Sequence, residues 1–360
     1  MANGTVRAVL LGAILVTLFA STSMLTGAYR AARHSRGLAL FGEGEALAGS
    51  GQAEAAASRL REALSLEPNQ AAYRAALAKA LLDGGSWAEA ESHLEELSED
   101  DPTDGDVNLM LARVAAHDGR DADAVTLYQR AIYGHWLPKS AGRTQARWEL
   151  VDLLTRAGRG KQAVAELLQL ASDPGADAAT RSRAGNVLLE RGDARDAADV
   201  FGQLAAEHPH DGDIWTALAN AKFAAGDFAA ARDAYTTALR WDSSDRPPLV
   251  RRLAVTNTVI ALDPSEVRLS AAQRHGRMRA LAERVLALVE RCAGGADRLA
   301  GEAATLAAST RQWLARPRPQ EGDTPEALRL LEDLWRAAQP LCRGQKPDEA
   351  AAALMARLAK

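Results

Sequence analysis

Aromatic residues make up only 5% of this 360-residue chain, and cysteine occurs just twice. Strand-like runs of Val, Ile and Thr are nearly absent. These shortages exclude a disulfide-dense scaffold and a sheet-rich core, and leave a core closed largely by small side chains. Signatures of chemistry are missing as well. The chain holds no phosphate-cradling glycine loop ahead of Lys-Ser or Lys-Thr, no GxGxxG, no GxSxG, no HExxH and no CxxC pair. No nucleophile is paired with a base, so the expectation is a non-enzyme with no cofactor and no metal. His208-Pro209-His210-Asp211 gathers two imidazoles and a carboxylate, but in a turn, where polar residues are ordinary.

What the chain does have is alanine, a 47% hydrophobic composition and an uneven charge. That mixture favours closely packed helices. Residues 1–36 carry four arginines and no acid, residues 37–245 carry a net charge of -14, and residues 246–360 carry +6. An acidic middle argues against nucleic acid as a partner, because phosphate binding requires a basic surface.

Residues 8–28, AVLLGAILVTLFASTSMLTGA, contain no charge. About 20 apolar residues suffice to cross a bilayer as one helix, so a single N-terminal transmembrane anchor is expected over residues 1–36. A cleaved signal segment is the alternative, with Ala8 to Ala20 as its apolar core and Thr26-Gly27-Ala28 as its cleavage site. Arg30, Arg33 and Arg36 behind the stretch favour a cytoplasmic C-terminal part. A disulfide would favour the exported, periplasmic side, which is the expected location of the rest of the chain.

Self-similarity organises the middle of the sequence. Ala56, Leu60, Ala63 and Pro68 recur after 34 residues as Ala90, Leu94, Leu97 and Pro102. After 34 more stand Ala124, Tyr128, Ala131 and Trp136, with Pro138 close by. A slip of five residues follows, and then Ala163, Leu167 and Leu170 resume the rhythm. Ala197, Phe201, Leu204 and Pro209 come next, and Ala231, Tyr235, Ala238 and Ser243 after them. Each unit reads as two antiparallel helices broken by a glycine such as Gly226. Small residues such as Ala219 and Ala231 bring the helices together, and large ones fill the gap to the next unit.

These residues resemble the tetratricopeptide repeat family. Trp215, Ala231, Tyr235 and Ala238 follow its pattern, as do Gly185, Ala197, Phe201 and Pro209, and Gly44, Ala56, Ala63 and Pro68. The resemblance implies an all-α solenoid over residues 37–245, with six hairpins starting near Gly37, Ala71, Gly105, Thr144, Ala178 and Gly212. It also implies a groove lined by the first helix of each hairpin. Family positions carried over give one column of Glu45, Lys79, Arg113, Asp152, Asn186 and Asn220. A second column is Phe41, Ala75, Leu109, Trp148, Ser182 and Thr216. Lys79, Arg113, Trp148, Asp152, Asn186 and Asn220 are the expected protein-binding residues, with Trp148 as an apolar platform and the asparagines meeting a peptide backbone. Ser182 stands where a carboxylate-clamp variety would need lysine, so a chaperone-tail binder is not expected.

Residues 246–360 read as capping helices and a small helical bundle. Asp263-Pro264-Ser265 gives a helix-start signal. Apolar stripes run through Met278 to Cys292, Leu299 to Trp313 and Leu328 to Ala338, and a last helix carries Leu354, Met355 and Leu358. Three helices running up, down and up place Cys292 and Cys342 at one end, where they form a disulfide or remain two buried thiols. Arg274, Arg277, Arg279 and Arg284 form a solvated stripe, paired with Glu283 and Glu290. The expected function is a membrane-tethered scaffold that binds a peptide or protein segment in its groove. One alternative is an assembly factor or enzyme-complex subunit whose bundle carries the activity, and another is a self-assembling structural protein.

Overall fold

A computed structural model describes residues 2–137, 140–241, 247–316, 323–342 and 348–359, with side chains from residue 17 onward except at 323. All regular structure among the described residues is helical apart from one isolated bridge between Asp104 and His135. Two compact units divide the chain at Glu166 and Leu167.

The first unit holds α1 (Ala2–Gly49), α2 (Ala53–Leu66), α3 (Ala71–Asp83), α4 (Trp87–Asp100), α5 (Gly105–His117), α6 (Asp121–Tyr133), α7 (Gly142–Arg156) and the start of α8 (Gly160–Ser172). From α1 to α7 each helix packs on the next, and α1 also touches α3 while α5 touches α7. The reason is visible where a glycine meets a bulky partner. A Cβ on Gly44 would lie 2.6 Å from Leu60, so only glycine lets α1 approach α2 this closely. The turn closing each hairpin takes a left-handed residue, and Gly51, Gly85, Gly119 and Gly158 supply it at φ between 70° and 77°.

The five-residue slip is taken up between α6 and α7. Trp136 there donates its indole N–H to Ala131 O at 2.8 Å, and its ring fills the space a Cβ would need at both Gly105 and Gly142. Gly105 N donates to His135 O and His135 N donates to Thr103 O, each at 2.8 Å, which pins the loop to the preceding corner. Pro138 lies outside the described residues.

The N-terminal segment corrects the sequence reading. Among the described residues no helix is long and apolar enough to cross a membrane. Helix α1 runs unbroken from Ala2 to Gly49, and its described part mixes polar and charged side chains into the apolar ones. Thr22 and Thr26 turn their hydroxyls back to Leu18 O and Thr22 O at 2.9 and 2.8 Å. Arg33 then donates to Leu66 O, and Leu40 is buried against α2 and α3. Over this length α1 is the first arm of a hairpin carrying arginines, so the transmembrane helix in the expected fold and the membrane location built on it are not upheld. The side chains of the apolar residues 8–16 lie outside the described ones.

The second unit holds the rest of α8, then α9 (Ala178–Glu190), α10 (Ala194–Glu207), α11 (Gly212–Ala224), α12 (Phe228–Trp241) and α13 (Pro247–Leu262). Beyond them lie α14 (Ala271–Ala293), α15 (Gly301–Leu314), α16 (Asp323–Ala338) and α17 (Glu349–Leu358). One core joins Phe228 of α12 to Val259, Met278, Val285, Trp313, Leu331 and Leu354 of the later helices. Cys292 and Cys342 are joined in a disulfide, Cα to Cα 4.8 Å, tying the end of α14 to the residues after α16. Helix α14 starts at Ser270, whose hydroxyl accepts from Gln273 N while Gln273 returns the bond, a closed capping box. The start expected at Asp263-Pro264-Ser265 is instead a turn, with Asp263 accepting from Ser265 N at 2.9 Å.

Candidate functional site

Helices α3, α5 and α7 are the first arms of successive hairpins in the first unit; α3 and α7 each expose part of one face, whereas α5 is exposed only at its ends. Lys79 on α3 and Asp152 on α7 are exposed, although Leu77, Ala78 and Ala80 around Lys79 are buried. Glu45 on α1 is exposed as well. Arg113 on α5 is half-buried and already engaged. Its Nε and Nη2 reach the two carboxylate oxygens of Glu149 on α7 at 3.0 and 2.7 Å. Tyr128 O–H and Gln145 Nε2 also donate to Glu149, both at 3.1 Å. The bond to Glu149 raises the Arg113 guanidinium above its ordinary value. Burial, reinforced by the Glu149 charge, pushes the Tyr128 hydroxyl far above the usual phenol range. The Arg113–Glu149 pair clamps α5 to α7.

Trp148 corrects its expected role. It is only 8% exposed and belongs to the core, so it offers no platform to a ligand. Leu109, its counterpart on α5, is buried too, and Phe41 stacks on Tyr73 with ring centroids 4.7 Å apart. This second column is therefore mainly packing in the first unit.

In the second unit, α9 and α11 carry the asparagines. Asn186 is exposed. Asn220 is half-buried, and its Oδ1 accepts from Tyr235 O–H at 2.6 Å, leaving its amide N–H groups for other partners. Burial pushes the Tyr235 hydroxyl up to about 12. Ser182 and Thr216 are half-buried beside them, Thr216 donating back to Gly212 O at 2.8 Å.

The remaining sequence candidates have local duties. Asp211 caps α11 by accepting from Asp213 N and Ile214 N, and His210 meets the Trp241 ring edge-on at 4.2 Å. The arginines of α14 differ from expectation. Arg277 donates to Ile260 O and Asp263 O at 3.0 Å and pairs with Glu266. Arg274 donates to Pro264 O and Leu269 O, so that Arg277 serves a carbonyl at the end of α13 and Arg274 those in the turn beyond. Glu290 pairs with Arg311 of α15 and not with this stripe. Sequence reasoning missed Glu149, the hub of the first unit's polar cluster. The signal was present: Glu149 lies nearly one helical turn ahead of Asp152, facing the column arginine of the preceding hairpin.

The fold agrees with what comparison finds. A family model described as tetratricopeptide repeat matches residues 47–107, 81–135 and 188–253. No curated protein matches the chain in sequence. Among solved structures, a tetratricopeptide repeat protein from Parabacteroides merdae is similar at 14% identity and a TM-score of 0.37, with 82% of this chain and 99% of that one covered. YrrB, described as having an unusual peptide-binding site, is similar at 14% and 0.37, covering 55% of this chain and 97% of its own. The yeast Sti1 TPR2AB domain in complex with pHSP90 is similar at 14% and 0.31, covering 84% and 98%. Across residues 47–135 and 188–253, this chain is similar to the tetratricopeptide repeat family.

Proposed function

We propose that this chain is a protein-binding scaffold that holds a segment of another protein against the first helices of its hairpins. One observation carries the reading. The same position of the first helices is polar from α3 to α11 and exposed at Lys79, Asp152 and Asn186, half-buried at Arg113 and Asn220, while neighbouring positions are closed into the core. A solitary exposed residue means nothing on a surface, but one that recurs at the same repeat position marks contact points within each unit. Lys79 and Asp152 serve the face of the first unit, with the outer side of the Arg113–Glu149 pair between them in the chain. Asn186 and the free amide of Asn220 serve the second, where carboxamides meet both donors and acceptors of an extended backbone. The reading is one of binding, with the partner a protein segment.

Photo-crosslinking amino acids placed singly at 79, 152 and 186 of the full chain test this in cells, with position 121 on α6 as an exposed second-helix control. One shared partner should crosslink from the three first-helix positions and not from 121. Equal capture at the control would reject the assignment. Lys79→Ala with Asp152→Ala, and separately Asn186→Ala, should each lower capture roughly tenfold, the scale of one to two lost interface contacts.

A further inference from the structure

Helix α17 has ten residues, too few for a helix to persist alone in water, so the surface beneath it must supply its order. It packs on α13, α14 and α16. Ala350, Ala351, Leu354 and Met355 form its buried stripe, set into the core of Val259, Met278 and Leu281. Charges sort its two ends. At the start, Asp348 caps the helix and reaches Arg284 of α14 at 3.1 Å, while Glu349 pairs with Arg252 of α13. At the end, Arg357 pairs with Asp263 at 2.6 Å, donates to Ser265 Oγ at 3.0 Å and lies 5.3 Å from the Phe228 ring centroid. The surface therefore offers two cations, an apolar trough and a carboxylate, in that order. A helix with acids first and a base last also matches its own dipole, so the trough reads helix direction as well as side chains.

We propose that this trough on α13 and α14 is a docking site for an amphipathic helix with an acidic start, a small-residue stripe ending in Leu-Met and a basic last turn. Helix α17 is its resident occupant, exchangeable for a partner helix of the same chemistry. Two features make it exchangeable. Half of its four fully seated side chains are alanines, and the arginines holding its start, Arg252 and Arg284, are 47% and 44% exposed, where salt screens them. The Cys292–Cys342 bond lies ahead of α17 and secures the end of α16 to α14 without it, so the rest of the bundle keeps its frame when α17 leaves. This site does not depend on the first-helix faces.

The probe is a fluorescent synthetic peptide of residues 347–359, added to the full chain. Leu354→Asp with Met355→Asp ejects the resident helix and leaves the trough intact. That variant should bind the peptide roughly tenfold or more tighter than the wild-type chain, where the tethered helix competes at high effective concentration. Adding Arg252→Glu should abolish the gain. A variant that keeps its disulfide and helical spectrum yet binds no better than wild type overturns the proposal. Should the double variant unfold, Glu349→Arg replaces it, with the apolar stripe untouched. Hydrogen exchange of amides 350–358 should then speed up roughly tenfold and peptide binding should appear, the outcome expected of a weakly held local unit. Unchanged exchange overturns the proposal equally.

Discussion

Tyr128 and Tyr235 occupy the same repeat position in the two units, and their hydroxyls are satisfied in opposite ways. In the first unit Tyr128 donates across to the next hairpin, to a carboxylate that also holds Arg113. In the second, Tyr235 donates to the neutral Asn220 of its own hairpin. A charged lock that spans two hairpins couples them, whereas a neutral bond inside one hairpin only stiffens that hairpin. Cohesion beyond the last hairpin must come from elsewhere, and the shared core with the bundle, together with the disulfide, provides it. The repeat thus fixes where a tyrosine sits and leaves open what its oxygen joins.

The disulfide offers the largest break in this comparison. Cys342→Ser opens a loop of 50 residues, worth about 4 kcal/mol on the chain-entropy scale, and should lower the unfolding transition of the second unit. Calorimetry should show the first unit's transition unmoved, and an equal shift of both would refute the contrast. Next in size is Glu149→Ala. It strands the half-buried Arg113 charge and the Tyr128 hydroxyl together, and should cost the first unit about 2 kcal/mol by denaturant titration. A loss no larger than that of an exposed carboxylate would mean the cluster is not a lock.

The smallest effect belongs to Tyr235→Phe, about 1 kcal/mol near neutral pH, because a neutral bond is lost and Asn220 can turn to water. The same residue sets a pH dependence. Its folded value, about 12, lies above the ordinary 10.0, so the protonated form is favoured by folding. That contribution is whole below pH 10 and fades as pH rises toward 12, at up to about 1.4 kcal/mol per unit. Alkaline titration of the second unit's stability should show this slope in the wild type and lose it in the phenylalanine variant.

Much of the helical architecture was legible because each hairpin repeats the same small-against-large contacts, which print a 34-residue rhythm on the sequence. Ala90 beside Leu94 and Ala197 beside Phe201 are visible without coordinates. The candidate site was less so. A column position tells which residue sits on a first helix, not how far it is buried, and Trp148 was misjudged for that reason. Glu149 was passed over, although its spacing from Asp152 was readable, because its partners come from three helices. The arginines of α14 misled because carbonyls at a helix end leave no mark in a charge pattern. The apolar run at residues 8–28 invited a spanning helix, while the arm that follows it in α1 bonds to α2 through Arg33.

Trp136 wedged between Gly105 and Gly142 has a consequence for how this chain tolerates change. The corner between α6 and α7 absorbs extra length while α5 and α7 still touch, so the hairpins on either side keep their footing. Chain length is negotiable at that corner, and the two glycines facing the indole are not. A variant library that inserts residues after Leu137 should therefore yield folded proteins far more often than one that adds a single methyl group at Gly142.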